Sequence, residues 1–259
     1  MNRIDVSFNK VKENKGKALI PFVTCGADFT IEETADLVIE LENNGATLVE
    51  IGVPFRDPLA DGPVIQNAYT KALTNGTKVK DVFRCVELIR GKSEVPVVLM
   101  VYFNVVYFNG IENFLKMASK SGVDGIIVPD VPLEERGDLD KVCEENGIYL
   151  IPLVARTSKD RIAAITKNAK GFVYCVSTNG TTGERTSLDS GTHEYLAEVR
   201  KIVDIPMCIG FGISSKEVVK EVKDYCDGVI VGSAIVKRMA KGKKEVIDFV
   251  KDLKEGFNQ

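Results

Sequence analysis

The chain has 259 residues, 44% of them apolar, with 34 Lys and Arg against 37 Asp and Glu for a formal charge of −3. That length and apolar content suit a single α/β domain over 1–259, and no Gly/Ser/Pro-rich linker divides it. Near-balanced charge without clustered cations argues against a nucleic-acid face, no apolar run is long enough to span a bilayer, and the mixed-charge opening MNRIDVSFNKVKENKGK is not a secretory signal. The expectation is a cytoplasmic protein with neither nucleic acid nor membrane as a partner.

The opening segment predicts a short helix ahead of the first strand. Apolar, β-rich runs then recur at ALIPFVT, TLVEIGV, PVVLMVY, DGIIVPD, IYLIPLVA, GFVYCVS, PMCIGFG and DGVIVGS. Helical spacing follows each run, at 30–44, 78–91, 111–121, 134–146, 159–168, 193–203, 215–225 and 234–253, with an extra helix at 63–75. Eight strand–helix units predict a parallel (β/α)8 TIM barrel carrying an extra N-terminal helix and an extra helix after strand 2. A doubly wound open sheet would be satisfied with about six strands. In such barrels, chemistry sits in the loops at the carboxyl ends of the strands.

The second strand runs into EIGVPFRDPLADGP. Period-2 alternation puts Leu48, Glu50 and Gly52 on one face and Val49, Ile51 and Val53 on the other, so Glu50 stands among apolar neighbours. Desolvation there disfavours its charged form and suits it to proton transfer near neutral pH. The alternatives are solvation at the strand end or an ion pair with Arg56. Asp57, Asp61 and Asp130 are further acid candidates at strand ends, joined by the hydroxyls of Tyr102 and Tyr174.

Exclusions narrow the chemistry. His193, the one histidine, begins a predicted helix and is expected at the surface; alone it serves no His-rich metal site. The strand runs hold no lysine for a Schiff base, and no P-loop pattern occurs. The six cysteines are scattered without a C-x-x-C pair and read as buried, reduced thiols.

Glycines gather after the last three strands, in STNGTTGERT, GFGIS and VGSAI. Gly180, Gly183, Gly212 and Gly232 allow backbone N–H groups to approach an anion, with the Ser233 hydroxyl beside them, and barrels commonly bind phosphate there. Ser214 with Glu217 reads as a capping box for the next helix. The residues thus point to a phosphorylated substrate and carboxylate acid–base chemistry, and isomerase, epimerase and lyase all fit.

LVEIGVPFRDPLADGPVIQ, with IPFVT, LMVYFN, IIVPDVPLEE, GFVYCVS…TTG, GFGIS and VGSAIVK in order along the chain, closely resembles the tryptophan synthase alpha subunit family. The resemblance implies retro-aldol cleavage of indole-3-glycerol phosphate to indole and glyceraldehyde 3-phosphate. Glu50 would be the acid–base residue and Asp61 the acceptor of the indole N–H. Thr182, Gly183, Gly212, Gly232 and Ser233 would contact the substrate around its phosphate, and Phe22, Leu99, Tyr102, Ile127, Tyr174 and Phe211 would line the rest of the pocket. The resemblance further implies no cofactor in this chain and a beta subunit carrying pyridoxal phosphate in an alpha2beta2 complex, with Pro54 towards that interface and Asp57 signalling across it. A free-standing lyase without a beta partner is the alternative, kept open by Arg56 where the family often has a small residue. Thr178, in place of a frequent arginine, and GADF, in place of GDP, are the other departures.

Overall fold

The computed structural model describes residues 1–176, 191–210 and 212–258. Its strands are β1 (Ala18–Thr24), β2 (Val49–Gly52), β3 (Val97–Met100), β4 (Gly125–Ile127), β5 (Tyr149–Leu150), β6 (Leu153–Ala155), β7 (Val173–Val176), β8 (Met207–Gly210) and β9 (Gly228–Val231). All the pairings are parallel, in the order β5-β4-β3-β2-β1-β9-β8-β7-β6.

The two end strands of that order are two halves of the expected fifth strand. Proline has no N–H for a ladder, and Pro152 divides the run after Ile151. Pairing nonetheless continues around the break: Ile151 N donates to Ile126 O at 2.9 Å and Tyr174 N donates to Pro152 O at 2.9 Å. The chain itself closes the ring, so the protein is a (β/α)8 barrel with strand five split.

The strands are buried almost throughout, as a parallel sheet with helices on its outer face requires. Helix Arg3–Glu13 closes the amino end of the barrel, burying Ile4 and Phe8, with the Phe8 and Phe172 rings 5.6 Å apart. Asp124, buried at the same end, accepts from Val97 N at 2.8 Å, Arg90 at 2.7 Å and Arg3 at 3.0 Å. Three donors there replace the water that the carboxylate gives up.

Helix Ile31–Asn43 begins with a reciprocal capping box between Thr30 and Glu33. The extra helix after β2 spans Pro63–Thr74, with proline in its first turn where no N–H is needed. Three local expectations differ. The last helix, expected over 234–253, is two, Ser233–Met239 and Lys243–Asn258, separated at Gly242, whose φ of 113° lies in the left-handed region. Phe103–Phe108 forms an unexpected helix, its first N–H bonded to Asp130 at 2.9 Å. Helix Lys216–Val222 takes Ser215 rather than Ser214 as its N-cap, and Glu217 bonds the Ser215 side chain.

Candidate active site

Register sorts the mouth of the barrel into rows, because partners in a parallel ladder share a face. Phe22, Glu50, Val98 and Gly125 form one row; two residues further on, Thr24, Gly52, Met100 and Ile127 form the next on that face. Leu99 falls between them, partnered with Ile51 and Ile126 on the opposite face. Its expected place in the pocket is therefore corrected: Met100, one residue on, holds the row that Leu99 does not.

Glu50 is 2% exposed and makes no ion pair with Arg56, which is exposed. Burial, followed by the nearby charge of Asp61, pushes its carboxyl from the ordinary 4.5 up to about 8. Unlike Asp124, it has no hydrogen-bond donor among the described residues to offset that cost. A buried acid without donors is poorly explained by stability and well explained by proton transfer.

Asp61, 5% exposed, comes from the loop after β2. That loop turns tightly, with Asp61 N on Pro58 O at 3.0 Å and the Asp61 carbonyl accepting from Gln66 Nε2 at 2.7 Å. Burial raises the Asp61 carboxyl to about 6, while the hydrogen bond that Tyr102 Oη donates at 2.7 Å opposes the rise. Tyr102 Oη in turn accepts from Ala60 N at 3.1 Å, and its ring stacks on Phe55 at 5.2 Å. Tyr174 feels the charges of both Glu50 and Asp61, with burial first in raising its hydroxyl well above its ordinary value. Two carboxyls held at about 8 and about 6 give one acid and one carboxylate near neutral pH.

Asp57 and Asp130 are exposed on the rim, and Asp130 caps a helix. Pro54 is buried at the start of the loop whose tip, Leu59, is 84% exposed. On the far side, Gly212 has a φ of 90°, a conformation that favours glycine, and Ser233 is buried at the first position of its helix. Gly232 faces the mouth, for a Cβ there would come 3.9 Å from Phe22 Cβ and 3.6 Å from Ile65 Cδ1. Thr178, Gly180, Thr182, Gly183 and Phe211 lie outside the described residues. His193, expected at the surface, is half-buried and stacks on Tyr225 at 4.2 Å. All six cysteines are buried and free. Among the described residues, no three His, Cys, Asp or Glu side chains are grouped to hold a metal ion, and no helix is long and apolar enough to cross a membrane.

Sequence reading missed Ile65, Met100 and Tyr69. Ile65 and Tyr69 are four apart on helix Pro63–Thr74, which reads as ordinary core spacing. Yet the Tyr69 hydroxyl reaches 2.6 Å from where a Cβ of Gly52 would be, at the end of the strand that carries Glu50.

A barrel with two buried carboxyls at its mouth has the form of an enzyme of the acid–base class. The sequence model described as tryptophan synthase alpha chain matches residues 8–259. The tryptophan synthase alpha chain of Clostridium beijerinckii is 88% identical over 99% of this chain and 100% of its own, and that of Thermoanaerobacter pseudethanolicus is 50% identical over 98% and 99%. A solved structure from Aquifex aeolicus superposes with a TM-score of 0.92 at 36% identity, covering 99% of both chains. Tryptophan synthase subunit alpha from Legionella pneumophila gives 0.90 at 32%, covering 100% of this chain and 99% of that one. The chain belongs to the tryptophan synthase alpha chain family. It is a carbon–carbon lyase that cleaves indole-3-glycerol phosphate to indole and glyceraldehyde 3-phosphate, and the free-standing alternative is not favoured.

Proposed function

We propose that Glu50 and Asp61 divide the cleavage between them. Glu50, protonated near neutral pH, delivers its proton to the indole ring carbon that bears the glycerol chain. The ring then carries positive charge at its N–H, where the Asp61 carboxylate accepts a hydrogen bond and stabilises that charge. Glu50, now ionised, takes the proton of the neighbouring glycerol hydroxyl. The carbon–carbon bond breaks, its electron pair restores the aromatic ring, and the hydroxyl carbon leaves as the aldehyde. The proton that Glu50 gives is replaced by the one it receives, so the cycle closes without a lysine imine, and we infer that this chain needs no cofactor. The observation that carries this reading is a buried Glu50, without a donor among the described residues and raised to about 8, beside an Asp61 raised to about 6.

Phe22, Met100, Tyr102, Ile127, Tyr174 and Phe211 line the indole and glycerol pocket in this reading, with Met100 replacing Leu99. Thr182, Gly183, Gly212, Gly232 and Ser233 hold the phosphate by backbone N–H groups and hydroxyls.

A beta subunit carrying pyridoxal phosphate receives the indole, in an alpha2beta2 assembly in the cytoplasm. Exposed apolar side chains support a docking face at the mouth: Leu59 at 84% lies on the loop after β2, and Tyr107 at 68% and Phe108 at 90% follow the neighbouring β3. Pro54 and Asp57 sit on the same loop as Leu59. Incubating the purified chain with indole-3-glycerol phosphate and measuring indole, with and without a relative's beta subunit, tests the reading. Slow release that the partner accelerates is expected; no release, or release indifferent to the partner, would contradict it.

A further inference from the structure

Two buried hydroxyls at the mouth, Thr24 Oγ1 on β1 and Tyr69 Oη on helix Pro63–Thr74, have no hydrogen-bond partner among the described residues, and Tyr69 is the one on which the charge of Glu50 acts. Tyr69 is fully buried, yet its Oη has no hydrogen-bond partner among the described residues. Native structures rarely leave such an oxygen unsatisfied, and where they do the reason is often functional. Its surroundings explain how it reached the barrel interior. Gly52 has no side chain, and the space is filled by Phe22, whose Cζ lies 2.5 Å from a hypothetical Cβ, and by Tyr69 Oη at 2.6 Å. Gly52 and Glu50 lie on one face of β2, roughly 7 Å apart along the strand. Glutamate has three rotatable side-chain bonds with which to close that distance.

We infer that Tyr69 is a positioning residue for Glu50, its hydroxyl accepting from the protonated carboxyl and donating to the carboxylate once Glu50 has given up its proton. This rests on the role proposed above for Glu50. A phenol can do both because it carries one O–H donor and free lone pairs. Burial first, and then the charges of Asp61, Tyr102 and Glu50, raise Tyr69 well above its ordinary value, so it exchanges hydrogen-bond direction without itself ionising. The groups that feel or exert a charge with Glu50 are Asp61 on the loop after β2, Tyr69 on the following helix and Tyr174 on β7. Tyr102 is engaged with Asp61, and Tyr69 is the tyrosine at the mouth whose buried hydroxyl has no partner among the described residues.

The test is Tyr69→Phe, which keeps the ring and removes only the oxygen. Loss of a donor to the carboxylate should lower kcat about tenfold with KM little changed, and should move the Glu50 titration upward by about one pH unit. The kcat–pH profile and isotope-edited infrared titration of the Glu50 carboxyl read the two effects, and the infrared measurement needs no turnover. A kcat and a Glu50 titration that both match the parent protein would overturn the inference, as would a variant altered in thermal stability alone. Glu50→Gln, assayed in parallel, separates the two failures: retained turnover there removes Glu50 from the reaction, whereas lost turnover with an unchanged Tyr69→Phe removes only Tyr69.

Discussion

Tyr102 Oη donates to Asp61 Oδ2 at 2.7 Å while accepting from Ala60 N at 3.1 Å, so a single hydroxyl ties the loop after β2 to the end of β3 and steadies the Asp61 carboxylate. That bond opposes the burial that raises Asp61 to about 6. Tyr102→Phe should therefore let the Asp61 value climb further. The acidic limb of kcat/KM moves towards neutrality by about one pH unit and activity near pH 7 falls about twofold. A pH–rate profile of the variant checks this; an acidic limb left in place would detach Tyr102 from the titration.

Two carboxyls at about 6 and about 8 predict a bell-shaped kcat/KM profile, rising as Asp61 ionises and falling as Glu50 loses its proton. The two groups interact, so the limbs belong to the pair. Measurement from about pH 5 to about pH 9.5 should place the plateau between those values; activity still rising beyond about pH 9 would require a different acid.

Stability should follow the same proton. The folded-state value of Glu50 lies above the unfolded one, so between about 4.5 and about 8 the folded chain binds more protons, and stability falls as pH rises through that window. Glu50→Gln removes the ionisation. It should stabilise the protein by about 3 kcal/mol near pH 7 and by almost nothing near pH 4. Thermal melts across that range check the trend, and a gain independent of pH would contradict it.

Gly52→Ala would bring a methyl to 2.5 Å from Phe22 Cζ and 2.6 Å from Tyr69 Oη. Overpacking of this kind costs about 1–3 kcal/mol, and here it also displaces side chains at the mouth. Lower Tm together with a kcat reduced at least tenfold is expected, read by melts and indole release.

Phe108→Asp tests the docking face, because Phe108 is 90% exposed whereas Glu50 and Asp61 are buried. Basal indole release should stay at the parent level while affinity for a beta subunit falls at least tenfold, as calorimetry would read. Unchanged affinity would move the interface elsewhere.

The barrel was legible because eight β-rich runs alternate with helical spacing, and that repetition survives errors in any one element. The division of strand five was foreseeable from Pro152 but not its consequence, since only the ring shows that both halves pair. Helix Phe103–Phe108 escaped notice because FNVVYF, rich in β-branched and aromatic residues, reads as more strand. Glu50 and Asp61 stood out as acids in an apolar, proline-punctuated stretch. Leu99 was misplaced because motif matching carries no register, and a slip of one residue turns a strand side chain to the other face. Tyr69 was invisible for another reason: its spacing from Ile65 is that of any core helix, and its role depends on a methyl that Gly52 lacks.

Single-turnover indole release by Glu50→Gln bears most directly on the proposed chemistry. The variant should fold, bind indole-3-glycerol phosphate with nearly the parent affinity, and release indole at least about a hundredfold more slowly, as expected when a general acid–base group is lost. Turnover within a few-fold of the parent protein, with binding intact, would show that Glu50 does not carry the proton.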